Sequence, residues 1–327
     1  MENINWGIIG CGDVTELKSG PAFNKIKSSS LAAVMRRDSE KALDYANRHH
    51  VPKWYDDALK LINDPAVNAI YVATPPSSHK EYTLAALRAG KPVYVEKPMA
   101  IDHSSAKIMI DEANRTGVKL VVAHYRRMQP MFKKIKEILD SGTIGEIRIA
   151  RMEFYKKSLS EEELNVPKTS WRVDKTISGG GLFHDLAPHQ LDLMYYFFGE
   201  VRHAYGISIN QAKLYNADDI VAGNILFKSG IIFNGVWCFN VSEEDENDVC
   251  EIIGSEGSIK FSVFGESAIH LRRNEKTEMF CFDVLEHVQQ PMIEKVVDYF
   301  REKGPNPCTG YDGVTVMKLL DSFTLNV

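Results

Sequence analysis

Residues 1–124 alternate short runs rich in Val, Ile and Ala with amphipathic segments, and no other feature of the chain limits its fold so strongly. Strands that are apolar on both faces need helices on both faces, which is the arrangement of a parallel βαβ sheet. Strands are expected at Trp6–Ile9, Leu31–Met35, Ala69–Ala73, Val93–Glu96 and Leu120–Ala123. Helical periodicity fills Glu40–His49, Asp57–Ile62, His79–Ala89 and Ser104–Arg115. Gly90 and Gly117 stand where helices should end, and Ser77 and Asp102 where they should begin.

The period changes after Ala123. One more helix, Met131–Leu139, precedes alternating runs at Glu146–Lys156, Val201–Asn210, Ile220–Phe227, Ile231–Phe239 and Val249–Ile253. Lys228-Ser229-Gly230 and Ser255-Glu256-Gly257 read as hairpin turns, so this half predicts an antiparallel sheet with a few helices. Two helices, Met292–Arg301 and Tyr311–Leu320, close the chain.

The 327 residues exceed one typical domain, so two are expected. A formal net charge of −5 argues against a nucleic-acid partner. No apolar stretch nears the ~20 residues of a membrane helix. The N-terminus carries Glu2, and its short apolar run Ile4–Ile9 leads into glycines, as a strand does and a signal peptide does not. The five cysteines, Cys11, Cys238, Cys250, Cys281 and Cys308, are odd in number and contain no C-x-x-C. That argues against a zinc ribbon or disulfide framework and suits a reducing cytoplasm.

Gly7-Ile8-Ile9-Gly10-Cys11-Gly12-Asp13-Val14-Thr15 follows the first strand. Gly10-x-Gly12 allows a tight turn and a close backbone approach to a pyrophosphate, with Asp13 and Val14 opening the next helix. Thr15 replaces the third glycine of the dinucleotide fingerprint and is small enough to keep helix and strand close. At the end of the second strand Met35 is followed by Arg36 and Arg37. A guanidinium can hold a 2′-phosphate through paired hydrogen bonds, which favours NADP over NAD. Asp38 leaves open an NAD-type contact to the ribose.

Three further blocks carry a family resemblance: Ala73-Thr74-Pro75-Pro76-Ser77-Ser78-His79, Ala89-Gly90-Lys91-Pro92-Val93-Tyr94-Val95-Glu96-Lys97-Pro98, and Gly179-Gly180-Gly181-Leu182-Phe183-His184-Asp185-Leu186-Ala187-Pro188-His189-Gln190-Leu191-Asp192. With the glycine loop they resemble, in order and over nearly the whole chain, the Gfo/Idh/MocA oxidoreductases. The resemblance implies an α/β protein with an N-terminal Rossmann fold over residues 1–124 and a C-terminal α+β domain over 125–327. The second domain would be built on a large, mostly antiparallel open sheet that binds substrate and joins subunits into a homodimer or homotetramer. It implies a catalytic set of Lys97, Asp185 and His189. It also implies cofactor contacts from Thr74, Pro75, His79 and Glu96, with Lys97 near the nicotinamide.

The residue chemistry agrees with these roles. Hydride transfer at a carbinol carbon leaves a proton to be moved on oxygen, a task for a group that titrates near neutrality such as His189. Asp185 and His189 are four residues apart, which places both on one face of a helix. Lys97 follows a strand whose carboxyl end should line a ligand crevice, where an ammonium stabilises a developing alkoxide. Pro188 is tolerated only in a first turn, which would put His189 near the helix N-terminus and lower its pKa. His184, one residue off that face, reads as structural, and Cys11 as a packing residue. The glycine triplet is expected to permit close backbone approach near the cofactor or the domain joint. No metal is expected, although Asp185, His189 and Asp192 share a face.

Softer substrate candidates are Tyr125 and Arg126, with their neighbours His124 and Arg127, and Trp171 and Arg172; an aromatic beside an arginine suits a polyol, a sugar or a sugar acid. Hydride transfer to or from a sugar, cyclitol or related hydroxy compound is the leading reading. A cofactor-binding sensor and a redox-assisted lyase or glycosidase are the alternatives, and the joint presence of Lys97, Asp185 and His189 counts against the sensor.

Overall fold

The computed structural model describes residues 1–324. It divides into two compact units: Met1–Arg126 together with Leu285–Met317, and Arg127–Val284 together with residues 318–324. The sequence predicts one cut near residue 124; the structure adds a return, since Leu285–Met317 belongs with the first unit.

The first unit holds β1 (Ile4–Ile9), β2 (Ser29–Met35), β3 (Lys53–Tyr55), β4 (Ala69–Val72), β5 (Val93–Val95) and β6 (Leu120–Val122) in one sheet of order β3-β2-β1-β4-β5-β6. Every pairing is parallel. This is the Rossmann order, and the strand sequence reverses direction between β1 and β4. β4, β5 and β6 are buried throughout, which explains their unbroken Ala, Val, Ile, Leu and Tyr composition. The returning segment seals this sheet: Phe300 packs against Trp6 with ring centroids 5.5 Å apart, and Lys119 donates to the Tyr299 carbonyl at 2.9 Å. Asp102 caps the helix His103–Thr116 by accepting from the Ser105 N–H, and Gly117 ends that helix at φ 67°. Ser77 is not a cap; it lies in a short 3-10 turn, and Ser78 precedes the helix His79–Arg88 without a side-chain cap bond.

The second unit is built on eight strands. β7 (Ile147–Lys157), β8 (Val201–Ile209), β9 (Ile220–Phe227), β10 (Ile232–Val241), β11 (Asn247–Gly254), β12 (Gly257–Phe261), β13 (Ala268–Arg273) and β14 (Lys276–Cys281) lie in the order β14-β13-β12-β11-β7-β10-β9-β8. Only β7 and β10 run parallel; the rest are antiparallel. β9 alternates in burial residue by residue, as a sheet covered on one face does. The cover is the helix Gly181–Phe198, fourteen of whose eighteen residues are buried. Phe183 meets Trp237 edge-on at 5.0 Å and Phe198 meets Phe227 at 5.2 Å.

Pro188 lies inside that helix, well past its first turn. The missing proline N–H leaves one helical hydrogen bond unmade, and burial on the sheet holds the helix through the gap. His189 is therefore a mid-helix residue, and the expected N-terminal dipole effect on it falls away.

Candidate active site

In the first unit the site residues follow strand ends. Gly10 adopts φ +95°, and a Cβ on it would lie 2.7 Å from Thr74 Cγ2 and 2.8 Å from the Thr74 nitrogen. The loop is tied to the end of β2, with the Gly10 N–H donating to the Met35 carbonyl at 2.9 Å. Gly12 differs. A Cβ there would meet only the Gly10 carbonyl, at 3.9 Å, so the protein's own packing does not require glycine. The space beside Gly12 suits a ligand backbone, which makes the loop fit a dinucleotide pyrophosphate. Asp13 is exposed and Val14 half-buried. Thr15 is fully buried and donates to the Gly12 carbonyl at 2.8 Å, while Tyr45 donates to the Thr15 carbonyl at 2.8 Å; the departure from glycine is absorbed by these bonds. Cys11 is buried, and that burial pushes its thiol up to about 12, so it stays an un-ionised packing group.

Arg36 donates to the Cys11 carbonyl at 3.3 Å, which holds its guanidinium over the loop, and Arg37 beside it is exposed. Asp38 is engaged elsewhere: it caps the helix Ser39–Arg48 and pairs with Lys41 at 3.0 Å.

Beyond β4, Thr74 accepts from the Ser78 hydroxyl at 2.8 Å, and the Pro75 carbonyl accepts from the Ser78 N–H at 3.1 Å. His79 is fully buried under this loop. Its Nε2 lies 2.6 Å from the Thr74 carbonyl and its Nδ1 2.9 Å from the Pro98 carbonyl, so one ring spans the two loops. Burial lowers its pKa from the usual histidine value. His79 thus orders the loop edges from beneath.

Beyond β5, Glu96 is buried and accepts from the Tyr71 hydroxyl at 2.5 Å, from Gln289 Nε2 at 2.6 Å and from the Lys97 backbone N–H at 3.1 Å. Tyr94 donates to Gln289 Oε1 at 3.0 Å. Glu96 is a foundation for Lys97, which is half-buried at the carboxyl end of the sheet. Tyr71 and Gln289 went unseen in the sequence; Gln289 lies almost two hundred residues from Glu96 and gives no local signal. Tyr125 and Arg126 follow β6 in a 3-10 turn, the guanidinium 5.8 Å from the Tyr125 ring centre.

In the second unit the helix Gly181–Phe198 carries Asp185 and His189 one turn apart. Arg172 Nε donates to Asp185 at 3.0 Å, and its guanidinium lies 4.6 Å from the Trp171 ring centre. The structure therefore joins Trp171, Arg172 and Asp185 in one cluster. His189 is buried, with the Phe264 ring edge-on at 5.5 Å. Asp192 is held by Arg127 through three hydrogen bonds of 2.7–3.0 Å, both side chains almost wholly buried, so Arg127 serves this pair and not a substrate. His184 is buried and burial pushes it down to about 4. Two glycines of the triplet have a packing role: a Cβ on Gly180 would lie 2.0 Å from His184 Nδ1, and one on Gly181 2.4 Å from Ala217 Cβ.

The sequence model of an oxidoreductase family with an NAD-binding Rossmann fold matches residues 4–124, and that of the GFO/IDH/MocA C-terminal domain matches residues 132–260. A protein of Formosa agariphila named as an oxidoreductase is 46% identical over 320 residues, 98% of each chain. The trans-1,2-dihydrobenzene-1,2-diol dehydrogenase of Mus musculus is 30% identical over 234 residues, 70% of this chain and 66% of its own. A levoglucosan dehydrogenase, solved in complex with NADH and levoglucosan, shares the fold at a TM-score of 0.88 and 22% identity, over 98% of this chain and 95% of that one.

Proposed function

The chain belongs to the Gfo/Idh/MocA family of NAD-binding oxidoreductases, and from that premise we propose that it moves a hydride between a nicotinamide cofactor and a ring carbon bearing oxygen in a sugar, cyclitol or related hydroxy or keto compound. The observation that carries the reading is Lys97, a half-buried amine set just past β5 with its backbone fastened to Glu96. The mouse relative is named for a cyclic vicinal diol, which supports a ring substrate with neighbouring oxygens.

The nicotinamide ring, when bound, supplies the hydride chemistry. Gly10, Gly12, Asp13 and Val14 hold the pyrophosphate, and Thr74 and Pro75 form a loop edge that His79 supports. The Lys97 ammonium stabilises negative charge on the reacting oxygen. His189 takes or returns the proton of the substrate hydroxyl. Asp185, oriented by Arg172, binds a hydroxyl, and Trp171, Tyr125 and Arg126 are further substrate contacts.

NADP is the preferred cofactor on this reading. Asp38 is spent on its cap and on Lys41, which leaves Arg36 and Arg37 as the charges flanking the ribose position. The outward face of β8 bears Tyr205, Ile207 and Ile209, more than half exposed, which supports a homodimer or homotetramer formed through the sheet; light scattering on the purified chain decides it. The five free cysteines suit the cytoplasm, which fractionation of the producing cell tests.

One experiment tests the catalytic reading: a panel of polyols, aldoses, ketoses and sugar acids assayed with both cofactors. Lys97→Ala and His189→Ala should each lower kcat on the best substrate by about 10²–10⁴, and Arg36→Ala with Arg37→Ala should move the cofactor preference toward NAD. Full turnover in both single variants overturns the site assignment.

A further inference from the structure

We propose that Phe264 is a positioning residue for His189, and that Asp248 anchors the loop that presents it. The inference rests on the assignment of His189 as the proton-transfer group.

Between β12 and β13 the chain turns through Ser262–Gly265, a segment with no regular structure of its own. One carboxylate organises it. Asp248 accepts from the backbone N–H of Val263 at 3.1 Å, of Phe264 at 2.5 Å and of Gly265 at 2.8 Å, and the Ser262 hydroxyl donates to the Asp248 carbonyl at 2.8 Å. Hydrogen bonds from N–H groups to a carboxylate are roughly twice as strong as neutral ones, so a single side chain sets the course of the turn.

That course aims one aromatic ring. Phe264 sits with its centroid 5.5 Å from the His189 imidazole at an interplanar angle of 77°, and is backed by Phe154 at 5.2 Å. Edge-to-face contact is the favoured geometry for such rings. The backbone around His189 is already fixed by its neighbours: Gln190 accepts from Trp237 Nε1 at 2.7 Å, and Asp192 is locked to Arg127. The tilt of the imidazole about its own side-chain bonds is a separate degree of freedom, and the Phe264 ring is packed against it. A proton-transfer group misplaced by about 1 Å can lose on the order of 10² in rate, so a side chain that fixes this tilt acts on turnover. Phe264 is itself only half-buried, so its truncation leaves the core largely intact.

The test is a double-mutant cycle on the full-length protein with its best substrate, read by kcat, KM, cofactor affinity and melting temperature. Phe264→Leu is expected to lower kcat about tenfold, with cofactor affinity and melting nearly unchanged. Phe264→Tyr, which keeps the ring edge, should restore most of the loss. Asp248→Ala should reproduce the direction of Phe264→Leu and provides a second route should that variant fold poorly. In a His189→Ala background Phe264→Leu should change kcat by less than about twofold, because the two act as one unit. The imidazole proton resonances of His189 should shift on loss of the Phe264 ring. Equal fractional losses in both backgrounds, or Phe264→Leu turning over at the wild-type rate, overturn the proposal. Full turnover in His189→Ala overturns the proton-transfer assignment instead, and this proposal with it; the single variants therefore tell the two failures apart.

Discussion

Gly10 in the first unit and His189 in the second meet the protein around them in opposite ways. Gly10 is where it is because main chain passes too close for a Cβ, and the Thr74 carbonyl beside it is met by His79. His189 lies in a buried helix where four polar residues are met by side chains from elsewhere in their unit: Asp185 by Arg172, Gln190 by Trp237, Asp192 by Arg127 and His189 by Phe264. Around Gly10 the close contacts are to main chain; along the helix of His189 they are between side chains. Main-chain construction should tolerate side-chain exchange and resist an added Cβ. Side-chain construction should be vulnerable to truncation and to protonation.

The largest test of that contrast is Asp192→Ala. It strands the Arg127 guanidinium, 6% exposed, without its carboxylate. Removing one member of a buried pair typically costs about 3–5 kcal/mol, whereas replacing both with apolar residues of similar volume is far milder. Denaturant unfolding should show the large loss in Asp192→Ala and a smaller one in Arg127→Met with Asp192→Leu. A loss under about 1 kcal/mol in the single variant would remove the pairing account.

Acid provides the next test. His184 titrates at about 4 in the folded chain against 6.5 as its ordinary value, because burial disfavours the charged ring. A depressed histidine favours the folded state fully above pH 6.5, and that contribution is lost as pH falls from there through 4. The shift corresponds to about 3 kcal/mol. In the first unit Glu16, held mainly by hydrogen bonds from Arg48 against the opposing effect of burial, and also by His49, sits at about 2 against 4.5; its contribution is lost only below pH 4.5. As pH falls below 6.5, buried histidines therefore cost stability in both units, His79 in the first and His184 in the second, and His184→Gln should flatten the second unit's stability profile between pH 6.5 and 4.5. An unchanged profile in that variant would assign the acid response to other groups.

The same contrast explains what could be read from the sequence. β1, β2, β4, β5 and β6 were legible because strands covered on both faces leave unbroken apolar runs. The edge strand β3, Lys53-Trp54-Tyr55, is too short to leave a run. β14, Lys276–Cys281, is exposed along most of its length and shows no apolar alternation. Gly10, Gly12, Lys97, Asp185 and His189 stood out as motif residues. Their supports did not: Gln289 reaches Glu96 from a late segment, Arg127 was read as a substrate candidate and instead reaches Asp192 across 65 residues, and Asp248 and Phe264 lie on strands and turns with no motif at all. Contacts set by the closure of a fold leave no periodicity in the chain. Pro188 misled for a related reason, since the rule against interior proline describes an isolated helix and this one is held by the sheet beneath it.

The smallest effect separates the two glycines of one loop. Gly10→Ala must adopt φ +95° and place a methyl within 2.9 Å of main-chain atoms of Ala73 and Thr74. The backbone strain alone is of order 1–3 kcal/mol, so a loss of about 2 kcal/mol in stability is expected. Gly12 has φ −126°, which any residue adopts, and its Cβ would point into open space. Gly12→Ala should fold with stability within about 0.5 kcal/mol of the parent. If that space is where a pyrophosphate backbone lies, the same methyl should weaken NADP or NAD binding by about tenfold or more, read by quenching of protein fluorescence. Gly12→Ala binding cofactor as the parent does would leave the open side of the loop without a ligand. Gly12→Ala losing stability as much as Gly10→Ala would mean that packing within the unit, and not an approaching ligand, keeps glycine at both positions.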